Sequence, residues 1–305
     1  MQGPRSALFH ILYGRERFCM DRHTIIFTTD DRQNNLGKLL EGEKIVCTYD
    51  EYREKYAGKK IHDNVYVLPT PVNKLEKNTE VAKKLKEDLK FERNPAIVFG
   101  GVLQEPWEDF LQKNGIAYWD FMKLPHVIAG NAHITAEATV AKVIMHGKFS
   151  ILGQKVLITG YGYCAKALAQ VFGRLGARVL VVARRQEAIE QARSDGFEAV
   201  DFEEAKTRLW AMDTVVNTVP ALVVTREWIE KLKKDALIID IASSPGGTDF
   251  EAAKDCNITA RLELGLPGRY TTMSSARLLK QTISKYAPLE QDVREDRQWI
   301  FQIII

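Results

Sequence analysis

At 305 residues, 45% of them apolar, the chain has room for two ordinary domains with a core in each. Its 43 basic and 40 acidic residues are spread along the chain and leave a net charge of +3, which offers no tail or stripe for nucleic acid but suits a small anionic ligand. Cys19, Cys47, Cys164 and Cys256 lack C-x-x-C spacing and the histidines include no H-E-x-x-H pair, so neither a disulfide framework nor a metal site is indicated, and free thiols fit a reducing cytoplasm.

The apolar run Ala7-Leu8-Phe9-His10-Ile11-Leu12-Tyr13 resembles a secretory signal only superficially. His10 interrupts it, Arg15, Glu16 and Arg17 follow at once, and no small-residue cleavage site appears. Residues 1–20 therefore read as an N-terminal extension ahead of the first strand. From Thr24 onward short β-branched runs alternate with amphipathic stretches, the pattern of parallel α/β architecture. The first series of strands is expected at 24–27, 44–47, 65–68, 96–99 and 116–119. A helix is clearest at 78–91, around Val81, Leu85 and Leu89, and Pro106 and Gly115 bracket the next one. Residues 135–147 predict one amphipathic helix, with Thr135 as its N-cap and Val140, Val143, Ile144 and Gly147 at i, i+3, i+4 and i+7; it serves as the linking element at 133–148. The second series follows at 155–158, 178–182, 197–200, 214–217, 237–240 and 259–262. The closing segment 299–305 is far too short to span a bilayer, and 288–305 reads as a tail.

Gly160-Tyr161-Gly162-Tyr163-Cys164-Ala165 directly follows the first strand of the second series and opens a helical stretch at 163–175. In that setting Gly160 permits a tight turn, Gly162 lets backbone approach a pyrophosphate, and Ala165 lets helix and strand pack, leaving a helix N-terminus aimed at phosphate. The expected fold is thus two doubly wound parallel-sheet α/β domains, a flavodoxin-like N-terminal domain over 21–132 and a Rossmann dinucleotide-binding domain over 149–269. Cys164 reads as a small buried side chain or, at a helix start, as a thiol of lowered pKa. At the end of the next strand, where NAD sites usually place an acid on the ribose, stand Ala183-Arg184-Arg185. Two guanidinium groups there favour the 2′-phosphate of NADP. Thr218-Val219-Pro220, Ala242-Ser243-Ser244 with the loop to Asp249, and Gly265-Leu266-Pro267-Gly268 fall after later strands, on the edge that would line the nicotinamide half of the crevice.

Four segments carry a resemblance: Asp240-Ile241-Ala242-Ser243-Ser244-Pro245-Gly246-Gly247-Thr248-Asp249-Phe250, Gly265-Leu266-Pro267-Gly268, Asn131-Ala132-His133-Ile134-Thr135-Ala136-Glu137, and Asp30-Asp31-Arg32-Gln33. In these the chain resembles the A-type component of bacterial dipicolinate synthase, from about Thr24 to Lys285. The resemblance implies a layout like the two-domain 2-hydroxyacid dehydrogenases, with a final helix within 270–287 returning to the first domain. It also implies NADP-dependent oxidation of a small cyclic dicarboxylate, dihydrodipicolinate or its hydrated precursor, to dipicolinate during sporulation, in the cytoplasm, and a partner in the form of a flavoprotein-like B subunit. Nucleic acid and membrane are not expected partners, and a homo-oligomer is compatible. Thr28 and Thr29 stand where the family usually has glycines, and Met273 where it usually has a lysine.

By the same analogy Asn131 orients substrate while His133 or Glu137 takes a proton. A capping role for Thr135 and a dipole role for Glu137 are the structural alternative. Asp31, Arg32 and Gln33 after the first strand and Arg269 after the Gly-Leu-Pro-Gly turn are the substrate-side candidates, the two arginines as carboxylate binders.

Overall fold

The computed structural model describes residues 23–55, 65–72, 75, 79–90 and 97–287; the expected N-terminal extension (1–20) and tail (288–305) lie outside them. The chain forms two units, Met1–Ile128 with Thr272–Ile305, and Ala129–Thr271.

In the first unit β1 (Thr24–Phe27), β2 (Lys44–Cys47), β3 (Val65–Val67), β4 (Ile97–Gly100) and β5 (Ala117–Asp120) form a wholly parallel sheet in the order β2-β1-β3-β4-β5. This is the flavodoxin-like arrangement. Helices α1 (Asp31–Leu39), α2 (Tyr49–Lys55), α3 (Thr79–Lys90) and α4 (Glu105–Lys113) make the crossovers. Alternation along the strands sends side chains to both faces: Ile25, Phe27 and Tyr66 pack with Leu85, Leu89, Trp107 and Leu111, while Ile26, Val65 and Val67 pack with Leu36, Leu40, Leu279 and Ile283. Covering both faces is what permits continuous apolar strands, each fully buried large side chain adding about 1.5–3 kcal/mol. Pro106 lies in the first turn of α4 and Gly115 adopts φ +65 just beyond it, as the sequence predicts.

Helix α5 (Pro125–His146) passes from the first unit into the second. It starts ten residues earlier than the 135–147 expected from periodicity, so Thr135 is not an N-cap. The Thr135 hydroxyl instead donates to the carbonyl of Asn131, 2.8 Å away, in mid-helix. Gly130 and Asn131 resemble a break, but burial of Val127 and Ala132 holds the helix through them, and Pro125 provides the start.

The second unit carries β6 (Lys155–Thr159), β7 (Arg178–Val182), β8 (Glu198–Val200), β9 (Thr214–Asn217), β10 (Leu237–Asp240) and β11 (Thr259–Leu262), all parallel, in the order β11-β10-β9-β6-β7-β8. The winding reverses between β6 and β9, the signature of the dinucleotide-binding sheet. Helices α6 (Tyr163–Arg174) and α7 (Gln186–Ser194) share one face with the second part of α5, through Phe172, Ile189 and Val143. The short helices α8 (Phe202–Lys206), α9 (Arg226–Glu230) and α10 (Phe250–Asp255) cover the other, through Ala205, Trp228, Ile229 and Ala252. Helix α11 (Leu266–Arg269) closes the unit, and α12 (Thr272–Tyr286), within the span expected for the final helix, belongs to the first.

Candidate functional site

The glycine loop joins β6 to α6. Gly160 takes φ +82, open to glycine at little cost, and donates its N–H to Val182 O at 2.7 Å, which fastens the turn to β7. Gly162 is the N-cap of α6 and supplies no side-chain acceptor, so the first N–H groups of the helix are left for another partner. A Cβ built on Gly162 meets nothing within 4 Å, leaving open space in front of those donors. That combination fits a phosphate. Ala165 is fully buried between helix and strand, while Tyr163 is exposed. Tyr161 turns inward to the core and donates its hydroxyl to Asp195 at 2.7 Å, beyond the last turn of α7; burial, then this bond, pushes its pKa up. Burial pushes the Cys164 thiol up, against the lowering expected of a helix start and in favour of the small-packing role.

Arg184 and Arg185 follow β7 directly and are both exposed. Among the described residues neither makes an ion pair or hydrogen bond through its guanidinium, whereas Arg193, Arg208, Arg226 and Arg269 are all engaged. Two unpaired cations beside a phosphate-binding turn are suited to a further phosphate.

The other strand ends are tied by a buried polar network that sequence reasoning missed. Thr159 ends β6, Asn217 ends β9 and Asp240 ends β10, each fully buried. The Thr159 hydroxyl donates to Asn217 Oδ1 at 2.5 Å, and Asn217 Nδ2 donates to Asp240 Oδ2 at 3.0 Å and to Val219 O at 3.0 Å. Asp240 further accepts from Ala242 N at 3.0 Å, Gly247 N at 2.8 Å and the Thr248 hydroxyl at 2.7 Å. Thr218 donates its hydroxyl to Thr159 O at 2.7 Å. The loops Thr218-Val219-Pro220 and Ala242-Ser243-Ser244 are thereby shaped from beneath, with Pro220, Ser243 and Ser244 exposed above the network. Gly247 must be glycine, because a Cβ would lie 2.2 Å from Ala221 O and 2.4 Å from Val219 O. The available signal was that three apolar strands each end in a polar residue.

The substrate-side candidates fall differently. His133 and Glu137 stand four residues apart on the exposed face of α5, with Asn131 half-buried and Ala132, Ala136 and Val140 facing the core. Glu137 therefore lies in mid-helix, away from the positive end assumed for it. Pro267 is buried in α11. Arg269 is already held, its Nη1 lying 3.3 Å from both Glu263 Oε2 and Leu264 O, and Glu263 also meets the buried Lys142 at 3.1 Å. Asp31 opens α1; Arg32 and Gln33 in the same turn are buried, and Arg32 Nη2 lies 3.2 Å from Asp30 Oδ2 and from Thr70 O. No group of three or more metal-ligating side chains occurs among the described residues.

Sheet order, open glycine turn and strand-end loops define a nicotinamide-dinucleotide-binding oxidoreductase built on two parallel α/β units. The chain belongs to the family described as alanine dehydrogenase/PNT, C-terminal domain, whose model matches residues 127–293. It is similar to the A-type component of dipicolinate synthase from Bacillus subtilis, with 29% identity over 210 residues, 68% of this chain and 70% of that protein. The crystal structure of the corresponding dipicolinate synthase component from Bacillus halodurans superposes with a TM-score of 0.71 at 25% identity, covering 88% of this chain and 99% of that one. An adenosylhomocysteinase of Haloquadratum walsbyi is 32% identical over 109 residues, 35% of this chain and 24% of that protein. The resemblance read from the four sequence segments is thus shown. No helix among the described residues is long and apolar enough to cross a membrane.

Proposed function

We propose that the chain is an NADP-dependent oxidoreductase, the A-type component of a two-subunit enzyme that oxidises dihydrodipicolinate or its hydrated precursor to dipicolinate in the cytoplasm of a sporulating cell. The observation that carries the cofactor choice is the pair Arg184 and Arg185 at the end of β7, unpaired among the described residues and beside an uncapped helix N-terminus. The B-type partner is flavoprotein-like, and this chain can also pair with itself. The peptide N–H groups of Tyr163, Cys164 and Ala165, with Gly160, Tyr161 and Gly162, would hold the pyrophosphate, the two arginines would meet the 2′-phosphate, and the loops at Thr218-Val219-Pro220, Ala242-Ser243-Ser244 and Pro267 would serve the nicotinamide half. When bound, NADP supplies the hydride acceptor. Dihydrodipicolinate would become aromatic by losing a hydride and a proton, and the hydrated precursor by losing a water as well, so the protein has mainly to orient the ring and neutralise its carboxylates. Asn131 orients, His133 or Glu137 takes the proton, and Asp31, Arg32, Gln33 and Arg269 form the substrate side, the two arginines as the carboxylate binders.

A second reading has one observation behind it: Arg269 is already satisfied by Glu263, and Met273 stands where a lysine is usual, so the substrate side is short of free cations. On that reading the chain is an NADP-binding partner or sensor without turnover of its own, or a dehydrogenase of another small acid. Mixing the purified chain with NADP and candidate acids, with and without a B-type partner, and following NADPH formation at 340 nm separates the two. Reduction of NADP that accompanies oxidation of dihydrodipicolinate to dipicolinate supports the enzyme, whereas binding without turnover even with the partner supports the sensor.

A further inference from the structure

Burying an ion pair costs desolvation that its attraction often fails to return, so stability alone does not account for one. Among the described residues of the second unit, Lys142 and Glu263 form the one ion pair with both side chains less than a tenth exposed, at 7% and 8%, with Nζ to Oε1 at 3.1 Å. Lys142 lies in the second part of α5 and Glu263 directly follows β11, so the pair joins the helix to the carboxyl end of the strand. Lys142 Nζ also stands 4.8 Å from the centre of the Tyr270 ring. Hydrogen bonding with Tyr270, then with Glu263, outweighs burial and pushes the Lys142 pKa up, so the pair is a charged one. The second carboxylate oxygen of Glu263 lies 3.3 Å from Arg269 Nη1, and the Arg269 guanidinium lies 5.4 Å from the same ring.

These contacts bracket the turn Gly265-Leu266-Pro267-Gly268, with Glu263 ahead of it and Arg269 and Tyr270 behind it. Inside the turn Gly268 N donates to Gly265 O at 3.0 Å and Tyr270 N to Leu266 O at 2.8 Å, and Leu266, Pro267 and Gly268 are buried. The end of β11 borders the loop that follows β10. Glu263 N donates to Asp240 O at 2.7 Å, and a Cβ on Gly246 would come within 3.0 Å of Leu262 Cδ1. Backbone bonds thus set the shape of the turn, while Lys142 ties both of its ends to α5, through Glu263 and through Tyr270.

We propose that Lys142 and Glu263 are positioning residues for the nicotinamide half of the cofactor. Both are buried and act through the Gly265–Gly268 turn, which they hold beside the loop Ala242–Thr248. The inference rests on the oxidoreductase reading above, which gives that turn its cofactor role. The phosphate turn and the Arg184-Arg185 pair follow β6 and β7, which the sheet order separates from β11 by β9 and β10, so the adenosine half of the cofactor does not depend on the pair.

The test is calorimetric titration of the full chain with NADPH and, separately, with 2′-phospho-ADP-ribose, which has the same adenosine half and pyrophosphate but no nicotinamide. Lys142→Met or Glu263→Gln alone takes one charge out of a buried cluster and should lower Tm. The informative variant is the double one, Lys142→Met with Glu263→Leu, which removes both charges and should keep Tm near that of the unmodified chain. In it NADPH should weaken by about tenfold, a fraction of the roughly hundredfold that a misplacement of about 1 Å can cost at a reacting site, with 2′-phospho-ADP-ribose unchanged. A pair that merely stabilised the fold would leave both affinities unchanged in the double variant, and that result overturns the proposal, as does equal weakening of the two ligands. Failure of the unmodified chain to bind either ligand is a separate outcome, which removes the dinucleotide reading and the positioning role with it.

Discussion

Asp240 is the point at which the second unit's shape and its cofactor loops depend on one side chain. It is fully buried and accepts four hydrogen bonds, from Asn217 Nδ2, Ala242 N, Gly247 N and the Thr248 hydroxyl. Hydrogen bonds to a charged group contribute roughly 1.5–3 kcal/mol each. Their sum is offset by the cost of burying the carboxylate, so Asp240→Ala is expected to lose about 4 kcal/mol, near the upper end for single substitutions. In a unit of this size that corresponds to a fall in Tm of about 10 °C. Asp240→Asn is milder. An amide oxygen in the Oδ2 position keeps Asn217, Gly247 and Thr248, and only the bond from Ala242 N to Oδ1 is lost, so about 1–2 kcal/mol is expected. Because the same carboxylate holds both ends of the loop from Ala242 to Thr248, NADPH affinity should fall in the order wild type, Asp240→Asn, Asp240→Ala. Urea denaturation followed by circular dichroism, with fluorescence titration of NADPH, measures both quantities. A loss below about 1 kcal/mol for Asp240→Ala would refute the account, since it would mean that the four donors find other partners without strain.

Three further outcomes are expected. Replacing Arg184 and Arg185 together by Ala should weaken NADPH by a few kcal/mol and NADH by little, because both guanidinium groups are exposed and unpaired among the described residues; equal affinity of the unmodified chain for the two cofactors would sink the NADP assignment. Gly162→Val should abolish dinucleotide binding while circular dichroism stays native, since the open space in front of the α6 N-terminus would be filled, and retained binding would move the site elsewhere. His146 should titrate below its ordinary value of 6.5, because burial and then the positive charges of Arg261 and Lys142 disfavour its protonated form more than Glu263 favours it. Its folded pKa being depressed, its contribution to stability is complete above the unfolded value and is lost as pH falls through the folded one; an imidazole NMR titration with a midpoint at or above 6.5 would contradict this.

What the sequence revealed and what it concealed divide along a physical line. The strands and the glycine loop were legible because each rests on local chemistry: a strand buried on both faces is a continuous apolar run, and a phosphate turn needs glycines at fixed offsets. The helix from Pro125 was legible only in its second half. Gly130 and Asn131 are poor helix formers, and tertiary burial of Val127 and Ala132 outweighs them. The Thr159-Asn217-Asp240 network could not be read as a network, since its bonds join residues 58 and 23 positions apart. The same limit explains the arginines. Arg184, Arg185, Arg32 and Arg269 are indistinguishable as letters at the ends of strands or turns, yet among the described residues the fold leaves the first two unpaired, buries the third and binds the fourth to Glu263. A guanidinium already compensated by a carboxylate offers an incoming anion little further gain. Under the proposed function, the two guanidinium groups left unpaired among the described residues are therefore the ones available to the cofactor.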